Sequence, residues 1–483
     1  MRRGARPGST FRPRCERGGR AAPGYPCRTP DGAGRGRYRW RNSSVSSSLS
    51  FEVRPGGRLH GVVRVPGDKS ISHRFVMLAS LADGVSNADG FLEGADALAT
   101  VAAFKAMGVR IEGPREGRVR VHGQGLHGLQ PPPGVLDLGN AGTAMRLMAG
   151  IMSGQRFASE LSGDASLSSR PMRRVTEPLA RMGARIEAGE RGTPPLRIAP
   201  AGSGLRGVDY AMPMASAQVK SCLLLAGMYA DGTTCVQEPA PTRDHTERML
   251  RAFGVEVRSN AGRVCIDGGQ RLRATDLSVP ADISSAAFFM LGAAIAPDSD
   301  LTLESVGLNP TRTGVIDILR LMGADIEIRN ERLLGAEPVA DLRVRSSRLK
   351  GVDVPPALVP LAIDEFPSVF VAAACAEGET RVSGAAELRV KESDRIQVMA
   401  DGLRNLGVDA TPTDDGMLIR GAGGFTGGRV DSHGDHRIAM AFAMAGLRAS
   451  GALRIDDCAN VDTSFPGFVT LAARAGLGIG SGR

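Results

Sequence analysis

Apolar and polar positions along the chain repeat one grammar. In FKAMGVRIE (104–112), LARMGARIE (179–187), LRAFGVEVR (250–258), LRLMGADIE (319–327), LRNLGVDAT (403–411) and, more weakly, AARAGLGIG (472–480), apolar residues at helical spacing run up to a glycine, and an extended segment follows at once. The pattern predicts amphipathic helices that stop at Gly108, Gly183, Gly254, Gly323, Gly407 and Gly476, where the chain needs a left-handed backbone, each followed by a strand. Successive glycines are 75, 71, 69, 84 and 69 residues apart. Six α/β units are therefore expected, too much chain for one compact core.

A second duplication divides the six. VPGDKSIS begins at Val65 and VPADISSA at Val279, each a proline-marked turn with an Asp placed to cap a following helix. Three of the repeated glycines lie between these segments and three after them. Two similar α/β domains of three units each are predicted, one over 67–280 and one over 51–66 plus 281–483. If the strand at RLHGVVRVP (58–66) pairs within the second domain, the chain crosses twice and forms a two-strand hinge beside a cleft suited to small ligands.

Charge alters this picture only at the N-terminus. The formal charge is +9, but residues 1–50 hold twelve Arg, no Lys and only Glu16 and Asp31, so this tail carries +10 and the remainder −1. Rich in Gly, Arg, Pro and Ser, the tail cannot bury enough apolar surface to offset its ordering entropy and is expected to be disordered. It has no amphipathic helix of the transit-peptide kind and reads as a translated upstream region. The folded part has no basic excess to hold a nucleic acid, and no uncharged apolar run is long enough to cross a membrane. Seven cysteines without a C-x-x-C pair predict reduced thiols in a cytoplasmic compartment, and the chain is separately expected to be a monomer.

Candidate chemistry sits at the helix starts. In PGDKSISHR (66–74), Asp68 caps a helix that opens with Lys69 and Ser70 and carries Arg74 four residues on, a combination suited to a phosphate or carboxylate. The P-loop spacing is absent, since its glycines would fall at Val63 and Asp68; GQGLHG (123–128) runs into LQPPPG and opens no dinucleotide-binding helix. LGNAGTAMR (138–146) offers Asn140, Gly142 and Thr143 at a glycine-rich turn whose amides could approach an anion. Arg170 precedes Pro171 at an expected helix start, Ser216, Ala217 and Gln218 open an apolar helix, and Arg243 lies in TRDHTE. Asp364 in AIDEFPSVF has apolar neighbours that would raise its pKa toward proton exchange. In ELRVKESDR, Lys391 and Arg395 are expected on one helical face with Glu392 beside them, and His436 and Arg437 lead a helix otherwise apolar. His433, Asp435 and His436 find no further ligands that would make a metal set. Cations at helix starts oppose the macrodipole, so their recurrence in both domains points to a shared polyanionic ligand.

PGDKSISHR, LGNAGTAMR, SRPM, RVKESDR and DHRIAM, in this order, resemble the 5-enolpyruvylshikimate-3-phosphate (EPSP) synthases over roughly residues 52–478. The resemblance implies two inverse α/β domains, each of three βαβαββ units. It also implies transfer of the enolpyruvyl group of phosphoenolpyruvate to the 5-hydroxyl of shikimate 3-phosphate, without metal or organic cofactor. Carried over by motif, Lys69, Ser70, Arg74, Ser216, Ala217 and Gln218 would hold shikimate 3-phosphate, with Asp364 and Lys391 at the reacting hydroxyl. Lys69, Asn140, Gly142, Arg170, Gln218, Arg243, Arg395 and Arg437 would hold phosphoenolpyruvate, Thr143 and His436 in support. Asp364, Glu392 and Lys69 would move protons. Leu147, Ala217 and Thr463 depart from the better-known bacterial pattern, which has Pro, Ser and Lys there, whereas Arg243 is similar to the family's second class. The related transferase acting on UDP-N-acetylglucosamine uses Lys-Asn where this chain has Lys69-Ser70, and a reactive Cys in a mobile loop that has no counterpart here. If the function resides in the folded part, deleting residues 1–50 leaves turnover in a phosphate-release assay nearly unchanged; an RNA-binding role for the tail predicts its loss.

Overall fold

The computed structural model describes residues 49–482. The expected disordered tail lies outside them except at its end, where Ser50 is buried as the first residue of the strand Ser50–Gly57, so the folded part starts earlier than composition suggests. Helices and strands alternate through one compact unit, and five of the seven sheets follow one plan. In the first, Leu277–Ser278 runs parallel to Asp83–Asp89, which is antiparallel to Arg118–Gln124, itself antiparallel to Arg110–Arg115. The sheet around Asp300–Gly307 repeats this with His60–Val63 as the parallel edge and Glu337–Arg345 and Asp325–Leu334 as the hairpin. The mixed α/β class agrees with the sequence pattern.

All six predicted glycines have positive φ, between 82° and 120°. At five of them the residue after the glycine donates its N–H back across the turn: Val109 to Phe104 O, Ala184 to Leu179 O, Val255 to Leu250 O, Ala324 to Leu319 O and Val408 to Leu403 O, all within 2.9–3.1 Å. This is the six-to-one bond of a Schellman motif, which fixes the exit direction of the chain into the next strand. The sixth end, weakest in the sequence, differs: Gly476 N itself bonds Ala472 O at 3.1 Å.

Two hydrophobic clusters form. One gathers residues between Ile71 and Val279; the other combines Phe51–Val65 with Ala281–Leu477. Within each unit one helix is buried nearly all round, as in Lys69–Leu81, Ala217–Gly227 and Ile283–Ile295, while the helix ending at the repeated glycine is amphipathic and covers the sheet. The chain passes between the clusters at two places that lie side by side: Asp68 N donates to Pro280 O and Asp282 N to Pro66 O, each at 2.9 Å.

Arg312, which the sequence reading did not select, holds this crossing. Asp68 caps the helix Lys69–Leu81 through Ile71 N (2.9 Å), and Asp282 caps Ile283–Ile295 through Ser284 N (2.9 Å). The Arg312 guanidinium, almost fully buried, bonds the free oxygen of Asp68 and reaches Asp282 Oδ1 at 3.0 Å. One cation thus joins the corresponding caps of both halves.

The expectation of reduced cysteines fails at one pair. Cys235 and Cys265 face each other in register on the antiparallel strands Thr233–Gln237 and Arg263–Asp267 and are joined as a disulfide, with Cα atoms 4.1 Å apart. Composition gave no sign of this because the pairing depends on strand register across 30 residues. Cys222, Cys375 and Cys458 are free thiols.

Replacing Arg312 by Ala strands two buried carboxylates, so unfolding in urea is expected to show a loss of about 3–5 kcal/mol, whereas an unchanged midpoint would deny Arg312 this role.

Candidate active site

The buried helices of all six units begin at one polar cavity. Its walls include Lys69 and Ser70, Gly142 and Thr143, Gln218, Asp282, Asp364 and the pair His436–Arg437, each at or next to the start of a different buried helix. Free N–H groups and macrodipoles therefore point inward from both halves, and Arg146, Arg170, Arg174, Arg243 and Lys391 add full charges. A second, more apolar cavity adjoins it, lined by Ser216, Ala217, Gln218, Arg243, Asp364 and Lys391.

Nearly every residue selected from the sequence lies on these walls. Arg74 and Arg395 are the exceptions. Arg74 is buried beneath the site, donating to Thr246 Oγ1 (2.7 Å), Ser221 Oγ (3.0 Å) and Ser70 O (3.0 Å), so its reach toward a ligand is taken up within the protein. Arg395 is completely buried. It pairs with Asp435 at 2.8 Å and with Glu392, while its Nη1 has no hydrogen-bond partner and lies 3.6 Å from Asp364 Oδ1.

Three local expectations are corrected. Lys391 and Arg395 do not share a helix: Ala386–Val390 is a short 3-10 turn, and Asp394 caps a new helix, Arg395–Asn405. Lys391 instead pairs backward with Glu387 (2.9 Å) and with Asp364 (3.3 Å). The helix after Arg170 starts only at Arg173, and Arg170 is held by Asn140 Oδ1 (2.6 Å) and Ser166 Oγ (3.1 Å). The Gly142 amide is spent on Asn140 O (2.8 Å); what the missing side chain provides is room, since a Cβ there would stand 2.9 Å from Arg170 Nη1.

The carboxyl groups lie opposite to the simplest expectation. Burial alone would raise Asp364, but Lys391, Arg243, Arg437 and Arg395 together outweigh it and hold the group well below the ordinary carboxylate range. Glu392 behaves alike: burial raises it, while Arg395, His436, Arg170 and Lys69 bring it well below. His436 is pushed well below its ordinary value by burial and by Lys69 and Arg437. Both carboxylates reach across the gap between the halves, Asp364 to Arg243 and Glu392 to Arg170 at 4.0 Å. On the opposite wall Arg146 is lowered to about 9, first by burial and then by the nearby Arg174 and Arg170. The arrangement can bind a small polyanion, keep one carboxylate ionised as a base, and present a second whose proton affinity rises once an anion takes over its cations.

Sequence reasoning missed Arg312, Asp96 (3.0 Å from Lys69 Nζ), Glu387 and the anchoring role of Asp435. Only the last had a local signal. Asp435 directly precedes His436 at a helix start and accepts from Arg437 N at 2.9 Å, the usual geometry of a capping carboxylate.

Comparison with known proteins decides the family. A family model described as EPSP synthase (3-phosphoshikimate 1-carboxyvinyltransferase) matches residues 53–471. The chain belongs to the EPSP synthase family. A 3-phosphoshikimate 1-carboxyvinyltransferase from Alkalilimnicola ehrlichii is 66% identical over 434 residues, 90% of this chain and 97% of the relative. Its counterpart from Methylococcus capsulatus is 67% identical over 429 residues, 89% of this chain and 98% of the relative. An EPSP synthase structure from Acinetobacter baumannii superposes with a TM-score of 0.82 at 56% identity, covering 90% of this chain and all of that one. EPSP synthases are transferases that move enolpyruvyl from phosphoenolpyruvate to shikimate 3-phosphate in the shikimate pathway, and this chain shares that activity and fold.

Because Asp364 and Glu392 have folded-state pKa values depressed below their ordinary 3.8 and 4.5, protonation favours the unfolded chain. Their stabilising contribution is complete above pH 4.5 and is lost as pH falls below 3.8 toward the folded values. Melting temperatures measured from pH 6 to 3 are expected to drop on the acid side, with a shallower slope in Asp364→Asn; an identical slope would deny Asp364 its share.

Proposed function

We propose that the walls of this cavity divide between the two substrates as follows. Lys69, Ser70, Ser216, Ala217 and Gln218 hold shikimate 3-phosphate, with Asp364 and Lys391 placed at its 5-hydroxyl. Lys69, Asn140, Arg170, Gln218, Arg243 and Arg437 receive the phosphate and carboxylate of phosphoenolpyruvate, with Gly142 leaving room for it and buried Arg395 behind the wall offering its unpartnered Nη1. Guanidinium groups suit both anions because each can present two parallel N–H donors. Arg74 acts from beneath, holding Ser70 through its carbonyl oxygen. The convergence of cationic helix starts from both halves on one cavity is the observation that carries this reading.

The chemistry follows from the charges. Phosphoenolpyruvate brings negative charge to Arg170 and Arg395, two of the groups that now keep Glu392 ionised. With those cations engaged by substrate, the Glu392 pKa rises and the group can deliver a proton to the methylene carbon as C2 becomes electrophilic. Asp364, its cations likewise shared with substrate, accepts the proton of the attacking 5-hydroxyl, and the new C–O bond forms at C2. Lys69 stabilises negative charge on the departing phosphate. When phosphate leaves, Glu392 takes a proton back from the methyl carbon and the enol ether is restored. Exclusion of water by the two halves protects the tetrahedral intermediate between these steps. Thr143 supports Gln218 at 3.1 Å, and His436, its pKa pushed well down by burial, shares the cavity wall with Glu392.

The protein is read as a cytoplasmic enzyme acting as a monomer, with no nucleic-acid partner. Among the described residues no helix is long and apolar enough to cross a membrane.

Glu392→Gln keeps the size of the side chain and removes the transferable proton. Phosphate release in the presence of both substrates is expected to fall by about 10²–10⁴-fold while each substrate still binds by calorimetry; an undiminished rate would remove Glu392 from the proton path.

A further inference from the structure

Arg243, like Arg174, is a cation of the first half that lies on both cavities, and it meets Asp364 across the gap. The loop that carries it is tied on both sides. On one side Thr242 bonds Glu238, which pairs with the buried Lys220 at 3.0 Å, all within the first half. On the other side the ties run to the second half. Asn309, nearly fully buried, gives its amide group to two carboxylates, Asp244 Oδ1 at 2.7 Å and Glu337 Oε2 at 3.0 Å. Glu337 in turn holds His245 Nδ1 at 2.8 Å through its other oxygen, and Arg248, bound to Asp244, reaches Ala336 O at 3.0 Å. Asn309 is itself fixed, since its amide oxygen accepts from Thr311 N (2.9 Å) and Thr311 Oγ1 (2.7 Å).

We propose that Asn309 is a positioning residue for Arg243: its amide joins Asp244 of one half to Glu337 of the other, so that approach of the halves sets the Arg243 guanidinium at the substrate gap. The two carboxylates would repel if brought together alone, and the amide between them supplies a donor to each without adding charge. Asp244 directly follows Arg243, so a displaced Asp244 moves the guanidinium with it. Asn309 touches neither cavity, and its influence on the reaction therefore passes through the residue it places. This inference rests on the assignment of Arg243 to phosphoenolpyruvate made above.

The test is a double-mutant cycle on the full chain, with steady-state kinetics in both substrates. Asn309→Ala is expected to raise KM for phosphoenolpyruvate about tenfold, the order of loss for hydrogen bonds to charged groups, and to leave KM for shikimate 3-phosphate nearly unchanged. In an Arg243→Ala background the same substitution should have almost no further effect, because the group it positions is gone. Additive losses in the two backgrounds, or equal rises in both KM values, would overturn the proposal. If Asn309→Ala does not fold, Glu337→Gln in the same cycle carries the test with the same expected non-additivity. An Arg243→Ala variant with wild-type kinetics would instead refute the assignment of Arg243 to the site, an outcome distinct from additivity.

Discussion

Everything in this molecule depends on six helices being buried so that their N-termini meet. A helix start carries unsatisfied N–H groups and a partial positive charge, and one such end can be satisfied locally by a cap. Six ends in one place, with arginines and lysines added, create a positive potential that caps alone do not neutralise. The chain meets part of the demand internally. Asp68, Asp282 and Asp435 cap helices and at the same time pair with buried arginines, while Asp364 and Glu392 stretch across the gap to Arg243 and Arg170. On the wall around Arg146, the neighbouring Arg174 and Arg170 disfavour its charge, a repulsion that an anion in the cavity would relieve.

Under the proposed assignment, one set of charges both binds and reacts. In the protein alone the cations serve the two carboxylates and keep them ionised. A substrate with phosphate and carboxylate groups competes for those cations and thereby returns proton affinity to the carboxylates. In that reading, binding and acid–base poise are linked through shared partners. An apolar setting, which the sequence around Asp364 suggests, would have raised its pKa without the substrate; the four cations folded against it reverse the sign.

Arg312 and Asn309 do for the junction what the helix starts do for the cavity. Each is a donor with two hydrogen-bonding directions placed between acidic groups of the two halves, Asp68 and Asp282 in one case, Asp244 and Glu337 in the other. Neither stands in a motif that was picked out by chemistry. Their importance comes from where they are brought, and the lesson extends to Asp96 and Glu387, which partner Lys69 and Lys391 from elsewhere in the fold.

Local physics was legible in the sequence. A glycine after an apolar helix needs positive φ, so Gly108, Gly183, Gly254, Gly323 and Gly407 announced five identical helix ends, and the imperfect sixth repeat announced its different hydrogen bond. Capping by Asp68 and Asp282 was equally readable, because the acceptor sits within three residues of the donor it satisfies. Tertiary structure alone decided which cations line the cavity and which are consumed inside, as Arg74 is, and it fixed the sign of the Asp364 shift and the pairing of Cys235 with Cys265. Those outcomes depend on distances between groups tens to hundreds of residues apart, and electrostatic energy follows distance through space rather than separation along the chain.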